Sequence, residues 1–220
     1  MPIATDITLD EASHRYFDSR GKEYTSVSRI LGRYKAPFNR EEIAQKVAAK
    51  TGQSLEDVYA EWDSAAPYGT NVHAQLEGIL RGEKGDTGLI TPYLSTVQSW
   101  LATGAKFHPE VILYLGELAG TADVLVEKPN GHWSILDWKT NKAIYKTSFR
   151  GVKLAPPLDH LDDCNFVQYS LQLNIYAKML GEPVDKMSLI HLPRNRDVLE
   201  IIPCLRLEKE VDLILEEFNA

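Results

Sequence analysis

The feature that most constrains the fold is a pair of strand-like runs separated by one short turn. Residues 124–136, VLVEKPNGHWSIL, are typical of two β-strands joined at Pro129–Gly131. Asp123 directly precedes the first run, and Asp137 directly follows the second. Because antiparallel strands joined by a short turn lie side by side, this hairpin brings both aspartates to the same end. The sequence therefore predicts a β-sheet with two neighbouring carboxylates at one end of a hairpin.

Two carboxylates this close repel each other, and a bound divalent cation is the usual relief. Lys139 follows Asp137 by two residues, so both side chains point to the same face of the strand. A cation, the water that it activates and a nearby ammonium group together suit phosphodiester hydrolysis. The structural alternative is a plain ion pair, because Asp137 leaves an apolar strand and Lys139 could neutralise it there.

His73 is the third candidate ligand. It lies on a predicted helix over residues 71–81, at the border of the apolar stripe, with Glu77 one turn later on the same face. A histidine in such a place is more often a hydrogen-bonded core residue. As a third ligand beside two aspartates, however, a neutral imidazole tolerates Mg²⁺ and favours Mn²⁺. The sequence leaves both interpretations of His73 open.

A long predicted helix carries Gln172 and Tyr176 one turn apart, with Gln168 one turn earlier. These residues are either the polar margin of a core helix or an amide and a phenol that face the site. In the second interpretation they hold a nucleic-acid strand or the side chain of Lys139.

The chain is acidic overall, but one stretch reverses the sign. The formal net charge of -7 argues against a surface that coats nucleic acid without specificity. Between Trp138 and Leu158 the sequence has basic residues and no acidic one, with aromatic residues interleaved. The candidate nucleic-acid contacts in this basic segment are Lys142, Tyr145, Lys146, Phe149, Arg150 and Lys153. Such a segment, next to the two aspartates, is typical of a local groove for a nucleic-acid strand.

The 220 residues suit a single domain, with residues 1–68 as an N-terminal hairpin and helical extension and residues 69–220 as the core. No apolar run approaches the roughly 20 residues of a membrane span, and the first residues lack the pattern of a signal peptide. Cys164 and Cys204 are far apart, which favours free thiols in a reducing cytosol over a structural metal site. We therefore expect a cytoplasmic protein with no membrane partner.

Hydrophobic periodicity and capping signals predict an α/β (or α+β) fold, with a central mixed sheet flanked by helices and a helical N-terminal portion packed against it. The predicted strands are a hairpin within 14–28, a meander over 111–115, 120–127 and 132–138, and two strands over 185–191 and 198–204. The predicted helices start near residues 26, 39, 54, 71, 91, 162 and 207. The helix that starts near 71 is predicted to end near 81, and the one that starts near 91 is predicted to end at 104. A break at Pro67–Thr70 separates the third helix from the fourth.

Four motifs in a fixed order resemble one nuclease family. They are GTNVHAQLE at 69–77, GTAD at 120–123, DWK at 137–139 and QLNIY at 172–176. The set is similar to the RecB-like branch of the PD-(D/E)XK nuclease superfamily, which carries a helix with a histidine, then G-x-x-D, (D/E)-x-K and Q-x-x-x-Y. The opening YFDSRGKEYTSVSRIL is also similar to the N-terminal start of phage and mitochondrial-maintenance exonucleases of that branch.

The resemblance implies a restriction-endonuclease-like core and a metal-dependent deoxyribonuclease, in the first place an exonuclease of phage-type recombination, repair or replication. The implied ligands of Mg²⁺ or Mn²⁺ are His73, Asp123, Asp137 and the main-chain carbonyl of Trp138. Lys139 would orient or activate the attacking water and stabilise the charge of the transition state.

The same resemblance gives roles to four further residues. Gln172 and Tyr176 would support the site and contact the nucleic-acid backbone. Glu110, on the strand before GTAD, stands where many relatives carry an acid and would support the ligands or hold a second metal ion. Glu77 is similarly placed, with a structural role as the simpler interpretation.

The mode of cleavage and the partners stay open. A structure-specific or restriction-like endonuclease uses the same kind of site, and a binding module can keep the fold without activity. The expected partner is DNA, single- or double-stranded and most simply at an end, in the cytoplasm of a bacterium or a phage-infected host. An annealing or single-strand-binding protein is a further candidate partner. Relatives with an iron–sulfur cluster have four cysteines, so with two we expect no cluster.

Overall fold

The computed structural model describes residues 6–11, 13–194 and 196–219, and the predicted start of the N-terminal portion at residues 1–5 lies outside the described residues. The strands are β1 Ile7–Asp10, β2 Arg15–Asp18, β3 Glu23–Ser26, β4 Lys106–Leu115, β5 Leu118–Glu127, β6 Trp133–Lys139, β7 Val184–His191 and β8 Glu200–Pro203. The helices are α1 Val27–Gly32, α2 Arg40–Thr51, α3 Leu55–Leu80, α4 Leu94–Leu101, α5 Asn165–Leu180 and α6 Glu208–Asn219.

These strands form one mixed sheet in the order β1-β2-β3-β5-β6-β7-β8, with β4 paired to β5 outside this path. β4, β5 and β6 are antiparallel neighbours, as the predicted meander requires. β6 pairs with β7 in parallel, and β3 pairs with β5 in parallel. The predicted α/β class with a central mixed sheet is confirmed.

Helices cover both faces of this sheet. On one face α1, α5 and α6 enclose the larger core, which includes Ile135 of β6. On the other face α3 and α4 pack over a second core, which includes Trp138. Because side chains alternate along a strand, Asp137 shares its face with Ile135 and points towards α5. The site residues of β6 therefore sit inside the layered structure rather than at its rim.

Three predicted helix starts are confirmed by their caps. The side chains of Ser26, Asn39 and Ser54 each accept a hydrogen bond from the backbone N–H three residues later. α5 ends at Gly181, whose φ of 68° is the left-handed conformation that glycine adopts at the end of a helix. The local signals therefore place these ends correctly.

The predicted helix break at Pro67–Thr70 is wrong, because α3 continues through Pro67 from Leu55 to Leu80. Proline removes one backbone hydrogen bond from a helix, but buried Val58 and Val72 on either side of it keep both halves packed. Packing here outweighs the local break signal. As a result His73 lies on one long helix, and the predicted boundary at residue 68 falls inside that helix.

Three other boundaries differ from the prediction. β4 begins at Lys106 rather than at residue 111, because it pairs with β5 along its whole length. β1 was not expected, and it extends the predicted hairpin by pairing with β2. Pro92 lies in a 3₁₀ turn over Gly88–Tyr93 ahead of α4, which ends at Leu101 rather than at residue 104.

Two coarser expectations concern the membrane and the thiols. None of the helices in the described ranges is long and apolar enough to span a bilayer. Cys164 and Cys204 are both free thiols, as expected.

Candidate metal centre

The GTAD motif lines a gap in the sheet. β4 pairs with β5 along the whole of one edge, so β3 and β6 must share the other edge. β3 pairs there at Leu118 and Ala119, and β6 pairs from Val124 onward. Within the described part of the chain, residues 120–123 have no partner strand on that edge. This opening between two strands leaves room for a ligand beside Asp123.

Asp123 is held by β6 and lies close to His73 of α3. Its Oδ2 atom accepts a hydrogen bond of 2.8 Å from the backbone N–H of Trp138 and lies 3.6 Å from His73 Nδ1. His73 Nε2 lies 3.1 Å from the carbonyl oxygen of Trp138. The structure thus brings together three of the predicted ligands, Asp123, His73 and the Trp138 carbonyl.

Gly69, the glycine of the GTNVHAQLE motif, lies where α3 approaches the end of β6. A Cβ atom at Gly69 would lie 3.1 Å from Thr140 Oγ1, which is closer than most Cβ contacts. A larger residue would require the Thr140 side chain to shift by a few tenths of an ångström. Gly69 therefore marks a close approach of α3 to the chain just after β6.

Glu110 joins the cluster from the opposite strand. The β4–β5 register pairs the neighbours of Glu110 with the neighbours of Asp123, so the two acids face each other. Glu110 has a φ of 51°, a left-handed conformation that is strained for a non-glycine residue and often marks functional sites. Ligand atoms of His73, Glu110 and Asp123 all lie within 4.8 Å of one another. Burial, with the charges of Asp123 and Glu77, raises the pKa of Glu110 to about 8.

Asp137 lies beside this cluster in a more buried position, with a side chain 3% exposed. Lys139 Nζ is 2.5 Å from Asp137 Oδ2, so the buried carboxylate is paired with the ammonium group. Burial raises the pKa of Asp137 to about 6, and the charge of Lys139 opposes this shift. A metal ion bound by Asp137 would therefore share this carboxylate with Lys139.

The Lys139 ammonium group is enclosed by acids and an aromatic ring. Its Nζ lies 4.4 Å from the centroid of the Tyr169 ring on α5, and the Tyr169 hydroxyl donates to Asn141 Oδ1 at 3.0 Å. Burial disfavours the charged ammonium group and lowers the pKa of Lys139. The Asp137 and Asp123 carboxylates outweigh this effect and raise the pKa above its ordinary value. Sequence reasoning missed Tyr169, although it lies two turns before Tyr176 on the same helix face.

Gln172 and Tyr176 face the site through the gap in the sheet. Gln172 Nε2 donates to the Tyr176 hydroxyl at 3.0 Å. A Cβ atom at Gly120 would lie 2.7 Å from Tyr176 Cε1 and 3.0 Å from Val27 Cγ2. The glycine of GTAD is therefore required because the phenol ring packs directly against the backbone of β5.

A cavity of about 190 Å³ lies among these groups, and the N-terminal hairpin forms one of its walls. Tyr16 of β2 lines it, with its hydroxyl 3.0 Å from Thr121 Oγ1, together with His14. Neither of these was predicted as a site residue. The alternation in the opening motif was the available signal, because it points Tyr16 towards the interior.

Glu77 lies on the other side of the cluster. It forms an ion pair of 2.6 Å with Arg81, one turn later on α3. Both residues line a cleft of about 830 Å³ that shares His73 and Glu110 with the smaller cavity. Glu77 acts on the cluster through its charge, which contributes to the raised pKa of Glu110.

Two lysines of the basic segment have acidic partners. Lys142 pairs with Glu61 of α3 at 3.0 Å, and Lys153 pairs with Asp162 at 2.7 Å. Because these acids come from outside the segment, the sequence run alone overstates the positive charge at this surface.

The other members of the basic segment are more available. Tyr145 and Phe149 are 64% and 76% exposed, which is unusual for rings of this size. The Lys146 ammonium lies over the ring of Phe166, and the Arg150 guanidinium lies over Phe149. This part of the segment combines exposed rings with two cations that have no carboxylate partner among the described ion pairs.

The donor set fits a hard or borderline divalent cation. Imidazole and carboxylate groups suit Mn²⁺ and Mg²⁺, and the clustered acids would lose their mutual repulsion on binding one. The side chains that fit are His73, Glu110 and Asp123, with the Trp138 carbonyl beside them. Asp137 stands outside the group with mutual distances below 4.8 Å. The geometry therefore gives Glu110 a more direct place than the resemblance implies.

No family model and no curated protein matches this chain. Among solved structures, the one described as "Crystal structure of SSO0001" is similar, with 17% sequence identity and a TM-score of 0.41. The similarity covers 90% of this chain and 77% of that chain. At this level it carries no information on function.

Proposed function

We propose that this chain is a divalent-metal-dependent nuclease that hydrolyses phosphodiester bonds of DNA, in the first place as an exonuclease. The observation that carries the proposal is the cluster of His73, Glu110 and Asp123 with the buried Asp137–Lys139 pair beside it. These residues come from four different elements, α3, β4, β5 and β6, so the cluster is a product of the fold and not of one local charge run. The four ordered motifs support the same chemistry.

His73, Glu110 and Asp123 would hold the cation, and the Asp137 carboxylate, paired with Lys139, lies beside them. Such a cation supplies a Lewis acid for the phosphate and lowers the pKa of a water molecule. The backbone N–H of Trp138 fixes the Asp123 carboxylate, so this ligand needs little reorganisation on binding.

Lys139 would act as a fixed positive charge. Although burial lowers the pKa of Lys139, the Asp137 and Asp123 carboxylates raise it above its ordinary value, which favours an ammonium group that donates hydrogen bonds. The Tyr169 ring and Asp137 hold the ammonium in one place. From there it would orient the attacking water and stabilise the negative charge that develops on the phosphorus oxygens.

Tyr176 would contact the phosphate backbone. Its hydroxyl accepts a hydrogen bond from Gln172, so its own proton is available for a second acceptor such as a phosphate oxygen. Gln172 positions this hydroxyl from one turn earlier on α5.

The path of the DNA would follow the exposed half of the basic segment. Lys146 and Arg150 would meet phosphates, and Tyr145 and Phe149 would stack on bases. The expected setting is DNA recombination, repair or replication in the cytoplasm of a bacterium or a phage-infected host, beside an annealing or single-strand-binding protein.

A cleavage assay tests the proposal. End-labelled single- and double-stranded DNA, each labelled at either end, is incubated with Mn²⁺ or Mg²⁺. Asp123→Asn and Asp137→Asn keep the size of the side chain and remove its charge, and each should slow cleavage by roughly 10³-fold. Asp212→Asn is the matched control, because Asp212 forms an exposed ion pair with Lys178 at 2.8 Å.

Wild-type protein that cleaves none of these substrates with either metal would overturn the proposal. Full activity in either aspartate variant would overturn the assigned site. A covalently closed circular substrate separates the two modes of cleavage, since only an endonuclease can open it. Calorimetry with Mn²⁺ adds a readout that does not depend on turnover, and Asp123→Asn should weaken this binding.

A further inference from the structure

Four side chains form a cluster of rings and one guanidinium at the α2–α3 end of the molecule. Phe38 and Trp62 have ring centroids 6.1 Å apart, and Tyr59 and Trp62 are also 6.1 Å apart. The Arg40 guanidinium lies 5.1 Å from the Tyr59 centroid and 6.0 Å from that of Trp62. Phe38 is 66% exposed, and Tyr59 and Trp62 are half-buried. We call this cluster the aromatic platform.

Two members of the aromatic platform, Tyr59 and Trp62, lie on α3, the helix that carries His73. Tyr59, Trp62, Gly69 and His73 follow one another at helical spacing and share one face of α3. Trp62 is eleven residues from His73, which corresponds to about 16 Å along the helix. The side chains between them on this face are small, so an extended strand could approach the helix closely.

Contacts with the end of β6 show where this face points. His73 contacts the carbonyl of Trp138 and Gly69 approaches Thr140. Glu61, on the flank of this face, pairs with Lys142 after the end of β6. Along α3 and along the chain that leaves β6, successive contacts lie farther from the metal centre. The N-terminal half of α3 therefore continues past the end of β6 beside the start of the basic segment.

We propose that the aromatic platform binds unpaired bases of a single-stranded nucleic acid whose backbone lies on the basic segment. Bases in a single strand expose their faces to aromatic rings, whereas bases in a duplex are covered by their neighbours. This inference rests on the proposed nuclease function and names the substrate class of the same site.

Charge sets the orientation of the strand between the two surfaces. Residues 40–66 carry Glu41, Glu42, Glu56, Asp57, Glu61 and Asp63 against Arg40, Lys46 and Lys50. Asp63 pairs with Arg40, Glu42 with Lys46 and Glu61 with Lys142, and the remaining acids leave this side with a net negative charge. Phosphates are repelled from this side and attracted to Lys146 and Arg150. The bases consequently turn towards the aromatic platform.

The test is a binding titration with fluorescent oligothymidylate in Ca²⁺, beside a blunt duplex of equal length. Phe38→Ala and Trp62→Leu should each weaken single-strand binding by roughly tenfold, which is the effect of losing one base stack. Duplex binding should change by less than about twofold, because the faces of paired bases are covered. Trp62→Phe keeps a ring and should restore most of the affinity.

Phe17→Ala is the matched control, because Phe17 also lies under a cation, Arg15, at 5.2 Å, but on the N-terminal hairpin. This variant should bind single strands as the wild type does. Unchanged single-strand affinity in both platform variants, or equal weakening for the duplex, would overturn the inference.

A small diester separates this inference from the proposed function. Thymidine 5′-p-nitrophenyl phosphate is too short to reach from the metal centre to Trp62, so its hydrolysis by the wild type reports on the metal centre alone. If the diester is hydrolysed but the platform variants bind single strands as the wild type does, only the inference about the aromatic platform is overturned. If the platform variants weaken single-strand binding but the protein hydrolyses no substrate, only the proposed nuclease function is overturned.

Discussion

The candidate metal centre and the basic segment are neighbours in the chain, but they hold their charges differently. At the centre, Asp137 and Lys139 are nearly excluded from solvent, and burial and neighbouring charges shift both pKa values. In the segment, Lys142 and Lys153 are largely exposed and paired with acids from other elements. Exposed pairs of this kind contribute little to stability, whereas a buried charge that loses its partner is costly.

The effect of a charged side chain here depends on its burial and its partners and not on its place in a charged run. Lys139 is buried and cannot change partners without cost. Lys142 and Lys153 are exposed and can exchange their partners at little cost. Substitutions should therefore have large effects at the centre and graded effects in the segment.

After the two aspartate variants, the largest effect is expected for Lys139→Met. The variant removes the fixed cation and leaves the Asp137 carboxylate buried without an ion-pair partner, so cleavage should fall by roughly 10²–10³-fold. Single-turnover rates with Mn²⁺ measure this loss. Lys178→Met, which removes a lysine from an exposed ion pair of 2.8 Å, should keep its rate within about twofold. Similar rates for the two variants would contradict the contrast between buried and exposed charges.

Gly120→Ala should have the next largest effect. The added methyl group would meet the Tyr176 ring at 2.7 Å, so ring or strand must shift, and the free energy of unfolding should fall by about 1–3 kcal/mol. Cleavage should fall with it, because the Tyr176 hydroxyl moves. Thermal unfolding and cleavage rates measure both changes. Gly32→Ala is the control, since nothing lies within 4 Å of the added atom. A Gly120→Ala protein as stable as the wild type would mean that the ring does not pack on this backbone.

A smaller effect is expected at Tyr169. Tyr169→Leu removes the ring under the Lys139 ammonium, and an interaction of this kind is worth about 0.5–2 kcal/mol, or roughly two- to thirtyfold in rate. The loss should appear in kcat more than in KM, because the ring positions Lys139 and not the substrate. Tyr169→Phe keeps the ring and should retain most of the rate. If Phe and Leu at this position are equally impaired, the hydroxyl bond to Asn141 and not the ring positions the lysine.

Some residues of the candidate site can be placed from local sequence patterns alone. The positions of Asp123 and Asp137 follow from one hairpin, in which a short turn and two apolar runs decide the pairing. His73 was placed on the correct face of a helix by its spacing, although the helix is longer than predicted. Such local patterns are visible in the sequence because the groups that determine them lie close together in the chain.

Other parts of the site depend on contacts that no local pattern contains. Glu110 belongs to β4, which begins earlier than predicted, and its backbone has a left-handed conformation. Neither feature follows from the residues around it. Pro67 is a break signal that the packing of α3 overrides. The basic segment looks more positive in sequence than in space, because Glu61 is far away in the chain and adjacent in the fold.

The smallest effect, and the sharpest test of the comparison, concerns the salt dependence of DNA binding. Lys146→Ala with Arg150→Ala removes two cations that lie over rings and pair with no acid among the described residues. The slope of log affinity against log salt for single strands should fall by about 1.4, or about 0.7 for each lost phosphate contact.

Lys142→Ala with Glu61→Ala removes an existing ion pair and leaves the net charge unchanged, so its slope should stay close to that of the wild type. Titrations over a range of salt concentrations compare the two double variants directly. Equal slopes for both would mean that the acid does not compensate Lys142 when DNA approaches, and the run of basic residues would then act as a whole. A difference would show instead that acids brought in by the fold decide which cations of the segment are available to DNA.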